Sequence, residues 1–450
     1  MKGKSIAEEK NQIIEGVIWK QLLFFFFPIL LGTFFQQLYN TADAIIVGKF
    51  VGKEALAAVG GTSSTIINLF VGFFVGLSSG ATVIISQFFG ARDHDGVSRA
   101  VHTSVALAIT GGIIIMIIGI AIAPWMLTIM GTPADVFDGS LTYMRIYFLG
   151  MIASLLYNIG TGILRAVGDS KRPLYFLMAA CLVNIILDIV LVLGFQLGVL
   201  GVAVATVLSQ VGSAVLVILT LLRSNTSCRL FPRQIRLDFS LLRRILVIGL
   251  PAGLQSVMYT VSNMIIQASV NSFGTDTVAA WTAYGKIDSF FWMIISAFGI
   301  SITTFVGQNY GARLFDRMKK SVNVCLAMSF GVTISISIIL FFAGQYVFEL
   351  FTNDPEVIRI GMEILRFIVP TFFTYVCIEI LSGAARGTGD TLIPTLITAL
   401  GVCVLRAVWV LGVVPSHHTI QMVVFSYPLT WSISSLAFVV YYLFRKRQWK

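Results

Sequence analysis

The sequence predicts an all-α membrane protein with twelve transmembrane helices in two six-helix lobes related by an internal repeat. Composition, the length of the apolar runs, and one constant offset between paired motifs predict it. Of the 450 residues, 57% are hydrophobic and 12% charged, and the mean hydropathy of +0.89 is one that water-soluble domains of this length do not normally reach. Lipid is therefore the solvent for most of the chain. A bilayer core about 30 Å thick needs roughly 20 apolar residues at about 1.5 Å rise each. The apolar runs have that length and lack the polar/apolar alternation of barrel strands.

Gly, Pro and charged punctuation places the spans at 20–48, 54–85, 98–130, 136–166, 172–196, 199–223, 240–272, 276–308, 320–351, 356–385, 392–414 and 420–444. No cleavable leader is visible in the polar stretch Met1 to Lys20, so the first span is expected to direct insertion. Lys and Arg are retained on the cytoplasmic side, and one set of alternate segments carries them. Lys2, Lys4 and Lys10 precede the first span. Arg92 and Arg99, Arg165, Lys171 and Arg172, Arg313 and Arg317, and Arg386 follow alternate spans; Arg445, Lys446, Arg447 and Lys450 close the chain. The opposite loops carry almost none beyond Lys49 and Lys53. The expected placement is a multi-pass protein of the cell inner membrane, monomeric, with both termini cytoplasmic. The net charge of +10 is read as this rim and not as a nucleic-acid footprint, since no basic stripe is interleaved with aromatics.

The one long hydrophilic insertion, RSNTSCRLFPRQIRLDFS, gives the expected organisation: an amino-terminal lobe 1–222, a cytoplasmic linker 223–240 and a carboxy-terminal lobe 241–450. Of the five cysteines, Cys181, Cys325, Cys377 and Cys403 read as small packing residues and Cys228 as a free loop thiol. Their spacing fits no zinc or iron–sulfur site.

Gln87, Gly90, Ala91 and Arg92 recur as Gln308, Gly311, Ala312 and Arg313, each 221 residues later. The same shift carries Arg165, Gly168, Asp169 and Pro173 onto Arg386, Gly389, Asp390 and Pro394. One offset serving two separated motifs implies a duplicated six-span unit whose copies insert in the same orientation, an architecture suited to transport. Gly387, Gly389 and Asp390 also spell GxGD, a pattern of intramembrane aspartyl proteases. Asp390 lies at a helix start, however, where a carboxylate favours the helix N-terminus, and the reading adopted for it and for Asp169 is capping.

Carboxylates inside a membrane cost several kcal/mol unless they face a partner or a cavity. Asp43 lies in the outer half of the first span, with Asn40, Tyr39 and Gln36 on the same face. Asn184 and Asp188 project together from the fifth span. Asp188 sits about 12 Å below the outer surface, and Thr206, as far into the returning sixth span, lies at similar depth, with Asp43 comparable or slightly shallower. Two carboxylates, an amide and a hydroxyl at one level supply hard oxygen ligands for Na⁺, or a carboxylate pair for a proton. Two independently bonded residues remain the alternative. At the repeat offset Asn184 and Asp188 become Leu405 and Trp409, so this chemistry is not duplicated. The second lobe instead has Lys286, placed to snorkel, with Asp288, Glu379 and Arg406. Glu379 and Arg406 are candidates for a buried pair, either a stability device or a cavity wall. Pro28 is expected to kink the first helix, as a fixed bend or as a hinge.

With twelve spans, paired QxxGAR and R-xx-GD-xxx-P motifs, and Pro28 and Asp43 in the first span, the chain resembles multidrug and toxic compound extrusion (MATE) transporters over nearly its full length. The resemblance implies a secondary transporter, not an enzyme, needing no cofactor beyond Na⁺ or H⁺ as coupling ion. It would export small cationic or amphiphilic organic compounds from the bilayer-embedded chain by alternating access. It also implies a coupling site, a metal site if Na⁺ is used, at Asp43, Asn184, Asp188 and Thr206, with bending at Pro28. Gln36, Tyr39, Asn40, Glu379 and Arg406 are the substrate-cavity candidates. The acidic residues that some branches carry in the seventh span are not evident. The rivals are a flippase for lipid-linked or amphiphilic metabolites of the same superfamily, and an intramembrane hydrolase using Asp43 and Asp188.

Overall fold

A computed structural model describes residues 11–449; Lys2, Lys4, Lys10 and Lys450 of the expected basic rim lie outside the described residues. Its helices are α1 (Gln12–Glu15), α2 (Ile18–Phe50), α3 (Lys53–Gly60), α4 (Thr62–Gly90), α5 (His94–Ile129), α6 (Ala134–Leu149), α7 (Met151–Ala166), α8 (Lys171–Asp188) and α9 (Gly198–Arg223). They continue as α10 (Phe239–Asn271), α11 (Thr275–Gly311), α12 (Phe315–Glu349), α13 (Pro355–Ile368), α14 (Phe373–Thr388), α15 (Leu392–Thr398), α16 (Leu405–Gly412) and α17 (Ile420–Lys446). Ten stretches are long and apolar enough to cross a membrane, and two bent helix pairs raise the number to twelve among the described residues. Span ends fall within a few residues of the expected ones.

Two expected continuous spans are broken. The fourth bends by 50° between α6 and α7, at Gly150, and the tenth bends by 51° between Pro355–Thr371 and α14, beside Pro370. These are equivalent points of the repeat. Gly150 adds no side chain to hold a straight course, and Pro370 lacks the amide the α ladder needs. By contrast α2 runs through Pro28 without losing its helical assignment.

The chain packs as two compact units. The first contains Phe27–Gly253 with the segment ending at Glu15; the second contains Gly16–Phe26 and Leu254–Lys450. In the first, α9 packs against α6, α7 and α8, and α5 against α4, α6 and α7. Its core holds Phe148, Ile84, Ile85 and Val217, all nearly inaccessible. The beginning of α10 belongs to this unit for a visible reason. Gly76 and Gly80 of α4 face Gly253 and Gly249 of α10 so closely that a Cβ on Gly76 would lie 2.5 Å from the Gly253 Cα, and one on Gly249 2.5 Å from the Leu77 carbonyl oxygen. Two small-xxx-small pairs meeting backbone to backbone are the usual solution where lipid offers no hydrophobic drive. In the second unit α11 is the most buried span and packs against α12, α13 and α14.

The linker is tied to the first unit through α5. His102 Nδ1 donates to the Ser98 carbonyl at 2.6 Å and its Nε2 accepts from the Phe231 amide at 2.9 Å, which fixes a neutral tautomer. Thr103 Oγ1 accepts from the Asp238 amide at 3.3 Å. Cys228 is the free loop thiol expected, and it is buried, 2.9 Å from Thr226 Oγ1.

The paired motifs have paired conformations. Arg92 and Arg313 stand at φ 58° and 57°, and Gly168 and Gly389 at 94° and 92°. Each is the left-handed residue that ends a helix while its neighbours' amides return to the last turn, as in Asp93 N–H to Phe88 O at 3.0 Å and Leu314 N–H to Asn309 O at 2.9 Å. The sequence reading of Asp169 as a cap holds: its Oδ1 accepts from the Lys171 and Arg172 amides, both at 3.1 Å. That of Asp390 is corrected. Its carboxylate accepts from the Tyr441 hydroxyl and lies 3.2 Å from the Arg445 guanidinium, and α15 has no side-chain cap. A left-handed L residue costs roughly 1–2 kcal/mol, most for a β-branched one. Arg313→Val is therefore expected to lower the thermal unfolding midpoint of the detergent-solubilised protein, and Arg313→Gly to leave it unchanged or raise it.

Candidate functional site

In the first unit the four residues grouped by depth are all buried: Asn184 and Asp188 are 0% exposed, Thr206 2% and Asp43 6%. Asp43 comes from α2, Asn184 and Asp188 from α8, and Thr206 from α9. Asp43 is close enough to Asp188 to interact directly. Cys181, one turn before Asn184, also lies within electrostatic reach of Asp43, so this face of α8 is turned toward it. Thr206 donates its hydroxyl to the Val202 carbonyl at 2.9 Å.

What distinguishes the cluster is unused acceptor capacity. Both oxygens of Asp188, Oδ1 of Asp43 and Oδ1 of Asn184 are buried acceptors without a hydrogen-bond partner, and the Asn184 Nδ2 is a buried donor without one. Buried polar groups are almost always paired, and an unpaired carboxylate is the most costly exception. Directly after Asp188 the helix passes into a π-helical stretch, Ile189–Gly194, a local unwinding that recurs at functional sites. The second unit has its own π stretch, Ala399–Val404, in a different register of the repeat.

Sequence reasoning missed three neighbours. Tyr143 and Tyr147 of α6 lie within reach of Asp43, Tyr143 also of Thr206 and Asp188, and Gln210 Nε2 donates to the Tyr147 hydroxyl at 3.2 Å. Two tyrosines four residues apart, and a glutamine one turn after Thr206, were the available signals. Of the other first-span candidates, Tyr39 joins the cluster beside Asp43 and Thr206. Gln36 and Asn40 do not: both are exposed, and Asn40 Nδ2 donates to Gln37 Oε1 at 3.5 Å.

Among the described residues the second unit holds no copy of this cluster. Glu379 and Arg406 both line a cavity there, but the expected pair between them is not formed. Glu379 lies 3.6 Å from Arg386, seven residues further along α14, and Arg406 donates to Thr430 Oγ1 at 3.3 Å. Arg386 reaches back along its own helix and takes the carboxylate first. Asp288 accepts from Trp292 Nε1 at 2.6 Å and the Tyr284 hydroxyl at 3.3 Å, while Lys286 is exposed.

Twelve spans in duplicated halves, with a buried oxygen cluster in one of them, define a polytopic membrane protein of transporter architecture. The family profile described as MatE matches residues 28–190 and 251–410, and the chain belongs to that family. Its members are secondary transporters, so the hydrolase alternative for Asp43 and Asp188 falls. Among relatives, the probable multidrug resistance protein YoeA of Bacillus subtilis is 29% identical over 448 residues, covering 96% of this chain and 95% of its own length. The multidrug export protein MepA of Staphylococcus aureus is 22% identical, with 96% and 95% covered. Among solved structures, an outward-facing MATE family transporter of the MOP superfamily superposes with a TM-score of 0.90 at 22% identity, over 98% of this chain and 99% of that one. A MOP superfamily transporter from Pyrococcus furiosus gives 0.91 at 22%, with the same coverage.

Proposed function

We propose that the chain is a cation-coupled antiporter that exports small cationic or amphiphilic organic compounds by alternating access, with Na⁺ or H⁺ entering at Asp43, Asn184, Asp188 and Thr206. The observation that carries this reading is the group of buried oxygens without donors around Asp188. Two adjacent carboxylates whose buried oxygens accept no hydrogen bond are unstable as they stand and are relieved by a cation, whether a proton shared by the carboxylates or Na⁺ among carboxylate, amide and hydroxyl oxygens. Thiol and imidazole donors, which softer metals prefer, are absent from this set. Export of organic compounds is supported by the relatives described as multidrug resistance or export proteins.

Pro28 fits a hinge. The residues just before it, Gly16–Phe26, pack in the second unit, and those from Phe27 onward in the first. A proline where a helix changes its packing partners removes one ladder hydrogen bond and lowers the cost of bending there. Gln36, Tyr39 and Asn40 follow within about three and a half turns and are proposed as substrate contacts. The basic rim supports an inner-membrane protein with both termini cytoplasmic.

The test is efflux of a fluorescent organic cation from proteoliposomes under separately imposed Na⁺ and pH gradients. Wild type is expected to respond to at least one gradient and Asp188→Asn to neither. Full export by the mutant under both gradients would remove the coupling site.

A further inference from the structure

The cavity in the second unit has a volume of about 520 Å³, the size of a site for a drug-like molecule. Much of its wall is aromatic. Trp292 meets Tyr375 edge-on with centroids 4.7 Å apart, and Trp431 lies 5.3 Å from Tyr427 and 5.5 Å from Tyr375. Tyr427 and Trp431 occupy the repeat positions that hold Thr206 and Gln210 in the first unit. The duplicated scaffold thus presents oxygen ligands in one copy and aromatic rings in the other.

Three charged side chains line this cavity: Asp288, Glu379 and Arg406. They differ in what they lack. Glu379 has Arg386 at 3.6 Å and the Tyr375 hydroxyl donating at 3.4 Å. Asp288 has two neutral donors, Trp292 and Tyr284, but among the described residues no cation within ion-pair distance. Arg406, only 3% exposed, donates to Thr430 and stacks 4.2 Å over the Tyr427 ring. Its Nε has no acceptor, and among the described residues no carboxylate lies within ion-pair distance of it. Asp288 is within its electrostatic reach without touching it. One cavity therefore carries a buried guanidinium and a half-buried carboxylate, close but unjoined, across an aromatic surface. Each is costly until it meets an opposite charge. A purely cationic ligand would serve Asp288 and leave Arg406 unpaired, and a purely anionic one the reverse. Only a ligand bearing both charges serves both.

We propose that this cavity binds an aromatic zwitterion, its anionic group on Arg406 and its cationic group on Asp288, with the ring packed against Trp292, Tyr427 and Trp431. The proposal rests on the reading of the chain as an exporter of small organic compounds and narrows their class. The test needs no ion gradient. Purified wild-type protein in detergent is titrated calorimetrically with three probes on one skeleton: 2-naphthylalanine as zwitterion, its methyl ester as cation and its N-acetyl derivative as anion. The zwitterion is expected to bind at least about tenfold more tightly than either, the loss of one buried ion contact. In a variant whose thermal midpoint matches wild type, Arg406→Gln should reduce zwitterion affinity to that of the ester without weakening the ester. An ester that binds wild type as tightly as the zwitterion overturns the proposal, whatever the variant does. So does equal weakening of both ligands in a variant whose thermal midpoint matches wild type. If zwitterion selectivity is missing while gradient-driven dye efflux persists, this inference fails and the export reading stands; if selectivity is present while efflux is missing, the reverse holds.

Discussion

Asp188→Asn is expected to reduce cation-driven export in proteoliposomes to the level of protein-free vesicles while the protein remains folded. The substitution is nearly isosteric, and neither oxygen of Asp188 accepts a hydrogen bond that would be lost. Removing one charge from a buried, interacting set costs about 3–5 kcal/mol of its counter-ion's binding, more than about 100-fold in affinity. Stability should move the other way. Neutralising one of two adjacent buried carboxylates relieves like-charge repulsion, so the thermal midpoint without coupling ion should be equal to or above wild type. Lost transport with undiminished stability separates a coupling residue from a structural one. Loss of both would assign Asp188 to packing.

Gly249→Leu is expected to remove the folded protein altogether. Even a single Cβ at Gly249 would stand 2.5 Å from the Leu77 carbonyl oxygen and 3.0 Å from the Leu77 Cα, and both neighbours are backbone. Backbone atoms cannot step aside by changing rotamer, so α4 and α10 must separate, and the first unit loses the contact that binds its last segment. Overpacking of a close helix contact costs about 1–3 kcal/mol per added group or more, and Leu adds several. The yield of monodisperse protein after solubilisation measures it. Gly212→Leu, where a Cβ meets nothing within 4 Å, is the matched control expected to express normally.

Much of this was readable in advance because membrane burial writes itself into composition. Apolar runs of spanning length gave the twelve spans, and the 221-residue offset gave turns whose backbone angles at Arg92 and Arg313 agree to within a degree. Depth along two helices was enough to group Asp43 with Asp188, since rise per residue is fixed by hydrogen bonding and does not depend on fold. Where several partners compete for one group, the sequence was silent. Glu379 had two arginines within plausible reach, and only the packing of α14 shows that Arg386 takes it. Asp390 had a helix start beside it and was assigned there, while Tyr441 and Arg445, some 50 residues on, claim its carboxylate. The bends at Gly150 and Pro370 and the packing of α10 up to Gly253 lie inside apolar runs, where hydropathy is high on both sides of the break. Tyr143, Tyr147 and Gln210 carry no charge and match no motif, so their helical spacing was the only mark they left in the sequence.

The oxygen cluster of the first unit is proposed to hold the coupling cation. The most direct test is equilibrium cation binding to the purified protein, as ²²Na⁺ retention and as proton uptake, in wild type, Asp43→Asn, Asp188→Asn and Asp288→Asn. Binding of Na⁺ or of protons is expected in wild type, lost in both first-unit variants and retained in Asp288→Asn. Binding that survives both first-unit substitutions, or that disappears only with Asp288, would contradict the proposal.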